Sequence, residues 1–322
     1  MLARVAENLY WMGRQLERAE NTARLVNATT QVLLDSPAGI ELGWDGLIRV
    51  MGFTATQGVT EAEVVHLLLL DPENPGSIVV SLRQARENAR SLREVLPREV
   101  WEQLNALHLR APALMTAALD RSRRHTALRE VVDARLMLAG LLNETMSHDA
   151  AFQFLRMGAM LERADMTTRI VDISSAVACT APGGLGMETT WISILKALSA
   201  FQMYRRHQDV RISPKKVVSF LFSDPRFPRA IRYCLESMES ILAELPNPAD
   251  PLRATRQAAR LLPKVEHSLE LNDGLPLLID EVQLRLCDVH NAIHDAYFAK
   301  PSSEATTEAA QSLLNKIGEM SE

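Results

Sequence analysis

One segment of fifteen residues occurs twice in this chain of 322 residues and limits its fold more than any other feature. Residues 12–26 read Met-Gly-Arg-Gln-Leu-Glu-Arg-Ala-Glu-Asn-Thr-Ala-Arg-Leu-Val, and residues 157–171 read Met-Gly-Ala-Met-Leu-Glu-Arg-Ala-Asp-Met-Thr-Thr-Arg-Ile-Val. Nine of the fifteen positions are identical. In both copies apolar residues recur at alternating spacings of three and four, which is typical of a packed helix. The repeat predicts two equivalent helices in an internally duplicated chain.

Further matched segments follow each copy in the same order. Thr60-Glu61-Ala62-Glu63 fits a capping box, and Ser213-Pro214 fits a helix start with proline in the first turn. The helices that they begin run into Asp-Pro breakers at residues 71–72 and 224–225. A chance likeness between two leucine-rich helices would not preserve this order. The whole chain is therefore predicted to be a tandem duplication.

The fold class predicted from these patterns is all-α, an internally duplicated multi-helix bundle with two halves about a pseudo-twofold axis. Residues 1–149 form the first half, residues 150–300 form the second, and residues 301–322 form a flexible polar tail. The join near residue 150 is short, which favours one core shared by both halves. The low aromatic content of 5% also favours helices over strands.

Charge and hydropathy exclude several classes of protein. The net charge of −5 gives no electrostatic case for nucleic acid, and no segment approaches the ~20 apolar residues of a membrane span. The N-terminus does not resemble a secretory signal, so we expect a cytoplasmic protein. Cys179, Cys234 and Cys287 are then expected to be buried free thiols, and the basic residues 121–125 a solvated loop.

Two glycines occupy equivalent positions inside the repeated helices. Gly13 and Gly158 each cost a helix about 1 kcal/mol relative to alanine, so a second backbone is expected to pass close to them. Glu17 and Glu162 follow one turn later and are therefore expected near a helix–helix contact rather than in open solvent.

The charged residues of the two copies have two interpretations. In the first, each Glu pairs with an Arg of the opposite repeat helix in a buried network that fixes the register of the helices. In the second, they line a pocket for the end of a peptide or an amino acid, with Arg binding its carboxylate. We favour the first, because symmetric pairs follow from a repeat. The members of this ligand or ion-pair centre are Arg14, Glu17, Arg18, Arg24, Glu162, Arg163 and Arg169.

Two other groups of polar residues have weaker signals. The first is a basic helical segment that is either a solvated face or a docking site for an anion or a partner: Arg83, Arg86, Asn88 and Arg90. The second would hold a metal ion if the helices that end the two halves met: Glu144, His148, His290 and His294. Capping and duplication explain these histidines as well, so we predict no metal. With no recognisable nucleophile or nucleotide-binding loop, we assign no catalytic residue and no cofactor.

Several motifs together resemble the bacterial alpha-E family, a predicted helical domain named for its conserved Glu-Arg pair. They are the N-terminal Leu-Ala-Arg-Val-Ala-Glu-Asn-Leu-Tyr-Trp-Met-Gly-Arg-Gln-Leu-Glu-Arg and the segments at residues 70–78, 85–90 and 224–229. The likeness spans about residues 1–300. It maps the conserved pair onto Glu17-Arg18 and Glu162-Arg163. The second copy departs at Ala159, where the first has Arg14.

The resemblance also implies a functional setting. Members of the family are expected beside a circularly permuted ATP-grasp ligase, a transglutaminase-like protease and often a proteasome-like hydrolase. We therefore predict a non-catalytic helical scaffold that acts with the ligase in cytosolic peptide-bond formation or tagging. One alternative is an enzyme in its own right that uses the Glu-Arg carboxylates or a His/Glu metal site in peptide or amide chemistry. Another is a homo-oligomeric structural unit.

Overall fold

The computed structural model describes residues 1–35, 44–53, 58–180, 185–207, 212–265 and 274–299. Every regular element in these ranges is a helix, which confirms the all-α prediction. The helices are α1 (Ala3–Asp35), α2 (Trp44–Val50), α3 (Glu61–Leu69), α4 (Ile78–Arg90), α5 (Arg98–Leu119), α6 (Arg121–Thr145), α7 (Ala150–Thr180), α8 (Leu185–Ala197), α9 (Phe201–His207), α10 (Pro214–Ser223), α11 (Ile231–Glu244), α12 (Ala249–Ala259) and α13 (Leu275–Tyr297). None of these helices is long and apolar enough to cross a membrane.

The two repeat helices form the centre of the molecule. The helices α1, with 33 residues, and α7, with 31, pack against each other more extensively than any other described pair. Around this pair α4, α6 and α8 pack on α1, and α11, α13 and α8 pack on α7. The segment that dominates the sequence pattern therefore also organises the packing.

The closest approach of α1 and α7 lies at the two glycines. A Cβ atom added to Gly13 would lie less than 3.0 Å from the carbonyl oxygen of Leu155 on α7. A Cβ atom added to Gly158 would lie equally close to the carbonyl oxygen of Tyr10 on α1. The expected close passage of a second backbone is confirmed. The two contacts are reciprocal, because Gly158 and Leu155 each lie 145 residues after their counterparts Gly13 and Tyr10, as two related helices would produce.

A single cluster of buried apolar side chains includes residues of both predicted halves. Leu9 and Met12 of α1 belong to it together with Met157 and Leu161 of α7, and the surrounding helices contribute the rest. The central helices are thus buried on most of their circumference, which requires the polar residues among them to find partners inside the protein. The duplication of the whole chain stays a prediction.

The two predicted helix starts differ in their capping hydrogen bonds. Thr60 caps α3 as expected, because its side chain accepts from the backbone N–H of Glu63 and its own N–H donates to the Glu63 carboxylate at 2.8 Å. Ser213 is the N-cap residue of α10 and Pro214 begins that helix, but the Ser213 side chain makes no capping hydrogen bond. The capping box is therefore confirmed. At the second helix start, Ser213 holds the N-cap position by its backbone conformation without a side-chain cap.

The basic residues 121–125 do not form a solvated loop, so that prediction was wrong. They are the first turns of α6, and Arg124 is only 2% exposed. Its guanidinium donates to the backbone carbonyls of Ala118 at 2.9 Å and Leu119 at 3.2 Å, near the C-terminal end of α5. A helix end leaves its last carbonyls without helical partners, and a buried cation satisfies them here.

The cysteines also differ from the expectation. Cys234 is buried, but Cys287 is exposed on α13, so the prediction of buried thiols was wrong for this residue. Cys287 lies outside the buried face of α13, which is formed by Ile279, Val282, Leu286, Val289 and Ile293. The side chain of Cys179 and the predicted tail at residues 301–322 lie outside what the structure describes.

Candidate functional site

The repeated Glu-Arg residues meet inside the protein where α1 and α7 pack together. On one side of this contact, Glu162 of α7 receives two guanidiniums from α1. Arg14 donates from Nε at 2.7 Å, and Arg18 donates from Nε at 2.5 Å and from Nη2 at 3.0 Å. Burial opposes ionisation of Glu162, but the two arginines outweigh it and lower its pKa to about 2. Glu162 is therefore a hydrogen-bonded carboxylate that is charged near neutral pH.

On the other side, Glu17 of α1 receives guanidiniums from three different segments. Arg163 of α7 binds it as a fork, with Nε at 2.8 Å and Nη2 at 2.9 Å from its two oxygens. Arg135 of α6 donates to the same carboxylate, and Arg229, just before α11, donates at 3.3 Å. Glu17 is 0% exposed. Burial opposes its ionisation, yet the surrounding arginines hold its pKa far below the ordinary range.

Glu20 extends this buried network along α1. Arg24 donates to it at 2.7 Å, Arg135 Nε lies 2.9 Å from its second oxygen, and Arg229 also binds it. Arg229 further donates to the side chain of Asn21 at 2.8 Å. Burial, together with the nearby guanidiniums, lowers the pKa of Arg229 to about 10. Burial is the main cause of this lowered pKa, and the carboxylates of Glu20 and Glu17 oppose it.

We call these residues the Glu-Arg centre. Its members are Arg14, Glu17, Arg18, Glu20, Arg24, Arg135, Glu162, Arg163 and Arg229. The structure contains the cross-helix pairs that the first interpretation requires, Arg18 with Glu162 and Arg163 with Glu17. Arg169 was also predicted to belong to this group, but it pairs with Asp165 on its own helix at 2.8 Å and lies beside the centre.

Three members of the centre were not found from the sequence: Glu20, Arg135 and Arg229. Arg135 had a usable signal, because it stands among Leu128, Val131, Leu138 and Leu142 on the buried face of α6. A charged residue at a helical core position needs a buried counter-charge. Arg229 follows the second Asp-Pro breaker, and no periodic pattern marks its side chain as buried.

The histidines do not converge on a metal site. His290 of α13 hydrogen-bonds through Nδ1 to the Tyr10 hydroxyl at 2.9 Å and stacks on that ring. Burial and the nearby charges of Arg14 and His294 lower the pKa of His290 to about 4. His290 is therefore a neutral packing residue that joins α13 to α1.

The other residues of the alternative metal site have separate partners. His148 hydrogen-bonds through Nε2 to the carbonyl of Asn143 at 2.9 Å and stacks on Phe152. His294 lies beside Asp295 at 3.2 Å, and Glu144 accepts from the Asn143 side chain. No group of three His, Cys, Asp or Glu side chains in the described ranges could hold a metal ion. The alternative interpretation of the four residues as one metal site was wrong.

The basic segment of α4 is divided between internal and exposed roles. Arg86 donates to Asn105 on α5 at 3.1 Å and lies over the Trp101 ring at 5.4 Å. Arg90 pairs with Glu87 on its own helix at 2.9 Å. The other members are the half-buried Asn88 and the exposed Arg83. Half of the group is therefore used in packing α4 against α5 or in a local pair.

Cavities formed by the described residues border the Glu-Arg centre beside different arginines. One of about 200 Å³ is lined by Arg18, Glu162 and Arg169 together with Phe53. A second of about 280 Å³ is lined by Arg24 and lies between α1, α6 and α8. A third of about 150 Å³ is lined by two members of the centre, Arg135 and Arg163, between α1, α6 and α7. Solvent and small molecules can thus approach the network from several sides.

Comparison with known proteins gives one family and several relatives. The family model Alpha-E, described as a predicted alpha-helical domain with a conserved ER motif, matches residues 1–298. Uncharacterized protein Mb2597 of Mycobacterium bovis is 27% identical over 91% of this chain, and uncharacterized protein Rv2567 of Mycobacterium tuberculosis is 26% identical over the same share. The chain spans 36% of the length of each relative. No solved structure is significantly similar to the chain.

Proposed function

This chain belongs to the Alpha-E family, and we propose that it is a non-catalytic helical partner of an ATP-grasp ligase in cytosolic peptide-bond formation or tagging. In this role the chain supplies a rigid scaffold and surfaces that hold the ligase or its peptide substrate. A transglutaminase-like protease is a second candidate partner, which the family resemblance also suggests.

The burial of the motif carboxylates is the observation that carries the non-catalytic part of the proposal. A general base needs a pKa near the working pH and access to the proton that it removes. Glu17 is 0% exposed, binds three guanidiniums and has a pKa far below neutrality. Glu162 is bound by two guanidiniums in the same manner. Their arrangement supports a role in joining helices rather than in proton transfer.

The length of the relatives supports a role beside another functional unit. The mycobacterial relatives carry the matched region within chains of which it makes up only 36%. A helical module that forms part of longer chains in its relatives is well suited to act beside another functional unit. The identity of that unit as a circularly permuted ATP-grasp ligase rests on the family resemblance.

The proposal is tested with the ligase and this chain purified from one organism. We expect the two proteins to elute together in size-exclusion chromatography, and the rate of ATP-dependent peptide-bond formation to rise when the chain is added. The absence of both a complex and a change in the rate would overturn the proposal. Peptide-bond formation by this chain without the ligase would also contradict it.

A charge reversal locates the interacting surface. Arg83 is exposed on α4 and makes no hydrogen bond or ion pair with another described residue, so Arg83→Glu changes the surface without breaking an internal contact. The matched control is Arg253→Glu on α12, where Arg253 is also exposed and pairs with Asp250 three residues earlier. We expect the α4 variant to weaken the complex and the α12 variant to leave it unchanged.

A further inference from the structure

The cavity of about 150 Å³ between α1, α6 and α7 differs in character from the rest of the Glu-Arg centre. Its walls are mostly apolar or small and include Phe152, Leu155 and Ala159. Its charged lining consists of Arg135, Arg156 and Arg163, and no carboxylate of the described residues lines it. We call this cavity the Ala159 pocket.

The pocket lies where the second copy of the repeat lacks the side chain that fills the corresponding place in the first. Ala159 occupies the repeat position of Arg14. The Arg14 guanidinium fills its own surroundings, because it binds Glu162 at 2.7 Å and lies over the Trp11 ring at 5.2 Å. In the second copy the methyl group of Ala159 leaves open space, and Arg156 stands at the repeat position of Trp11.

Unused hydrogen-bond donors stand beside this open space. Arg163 uses three of its five N–H groups, two on Glu17 and one on the Pro228 carbonyl. Arg135 donates to Glu17 through Nη2 and forms an ion pair with Glu20 through Nε, while its Nη1 makes no hydrogen bond to any residue that the structure describes. Both guanidiniums line the pocket and have N–H groups left for a ligand.

The charge of the buried network beside the pocket is also unbalanced. Where the structure describes the chain, four guanidiniums of this network, those of Arg24, Arg135, Arg163 and Arg229, surround the carboxylates of Glu17 and Glu20, and two of the four line the pocket. An unpaired buried charge is costly, so an additional anion at this place would be stabilised. The apolar walls then require the rest of that ligand to be apolar.

We propose that the Ala159 pocket binds a small carboxylate with a compact apolar body. The carboxylate accepts from Arg135 and Arg163, and the apolar body contacts Phe152 and Ala159. An apolar cavity of about 150 Å³ holds a group the size of benzene, so a branched aliphatic or single-ring body fits and a long acyl chain does not. The assignment goes beyond the proposed function, because it requires neither the ligase nor a peptide.

Binding is tested by isothermal titration calorimetry on the purified full chain with 4-methylpentanoate as the probe. The uncharged 4-methylpentanamide has the same shape, and acetate has the charge without the apolar body. We expect the carboxylate to bind at least about tenfold more tightly than either, since a charge-assisted hydrogen bond and the apolar contact each contribute that much. Equal affinity for the amide, equal affinity for acetate, or no binding of 4-methylpentanoate would each overturn the proposal.

Two substitutions place the binding in this pocket. Ala159→Met extends into the open space and is expected to abolish binding while the helical circular dichroism and the thermal midpoint are retained. The matched control is Ala197→Met, which fills the cavity beside Arg24 and should leave the affinity unchanged. Unchanged affinity in the Ala159 variant, or equal loss in both, would contradict the assignment.

A third substitution covers the case in which the Ala159 variant does not fold. Arg156 lines the pocket without belonging to the Glu-Arg centre, so Arg156→Gln removes one positive charge and leaves the buried network intact. We expect the affinity for 4-methylpentanoate to fall by several-fold at low salt, with the difference shrinking as salt is added. An unchanged affinity at low salt would contradict the proposal independently of the core substitution.

Discussion

At Gly158 the missing side chain is what allows the two central helices to touch. The carbonyl oxygen of Tyr10 occupies the space that a Cβ atom would need. Backbone atoms on both sides cannot move without displacing the whole helix, so the usual gain of helical propensity from glycine to alanine is reversed here. We therefore expect Gly158→Ala to lower the free energy of unfolding by about 1–3 kcal/mol, the range typical of overpacked cores.

The control for this prediction is a glycine in open space. Gly140 lies inside α6, and no atom would lie within 4 Å of an added Cβ. Gly140→Ala should therefore raise the free energy of unfolding by up to about 1 kcal/mol. Urea denaturation of the two variants and the wild type measures both values. A change of the same sign in the two variants would show that close backbone contact does not explain Gly158.

At the scale of one element, the corner between α5 and α6 depends on a buried cation. Beyond the two carbonyls of α5, Arg124 donates to the Thr30 hydroxyl at 3.1 Å and pairs with Glu61 at 2.7 Å. It therefore fastens this corner to both α1 and α3. Arg124→Met keeps the apolar stem and removes the donors, so we expect the free energy of unfolding to fall by about 3 kcal/mol or more.

Arg121 provides the matched comparison for Arg124. It pairs with the same Glu61 carboxylate, but it is 54% exposed, and among the described residues it donates to that carboxylate rather than to the carbonyls of α5. An exposed pair of this kind contributes little, so Arg121→Met should lower the free energy of unfolding by less than about 1 kcal/mol. Equal losses in the two variants, measured by urea denaturation, would show that the shared ion pair rather than the carbonyl contacts stabilises the corner.

The packing of α13 on α1 predicts a dependence of stability on pH. The pKa of His290 falls to about 4 in the folded protein, below its ordinary value of 6.5, chiefly because of burial. Between these values the unfolded chain binds a proton and the folded protein does not, so stability is lost as the pH falls from 6.5 towards 4. Because His290→Phe keeps a ring against Tyr10 without a titrating nitrogen, this variant should lose less stability over that interval. Urea denaturation at several pH values, compared with the wild type at pH 8, measures the difference.

Helices of this protein were more predictable from sequence than the partners of their charged residues. The periodicity of α1 and α7 and the capping box at Thr60 are local features, and the structure has both. Arg124 looks like an ordinary surface residue in a charged segment, whereas Arg135 stands among the apolar core positions of α6. The partners of both depend on which helices pack around α6. The two glycines were informative because they cost helical stability locally, so their presence required a tertiary explanation.

At the scale of the whole molecule, the Glu-Arg centre links the two predicted halves through charge as well as through apolar contacts. Glu17 lies in the first half, while two of its three arginine partners, Arg163 and Arg229, lie in the second. Glu162 lies in the second half and takes both of its partners from the first. Each half therefore contains at least one buried carboxylate that depends on guanidiniums of the other half.

This exchange of partners determines how the separated halves should behave. A fragment of residues 1–149 would keep Glu17 and Glu20 but lose Arg163 and Arg229, and the face of α1 that contacts α7 would be exposed to water. Removing one partner of a buried ion pair costs about 3–5 kcal/mol, which is a large part of the usual stability of a domain. We expect the fragment to show no cooperative thermal transition in circular dichroism, and co-expression with residues 150–300 to restore one. If a fragment of residues 1–149 unfolds cooperatively alone, the halves are independent domains. The central ion pairs would then join two halves that each fold around a core of their own.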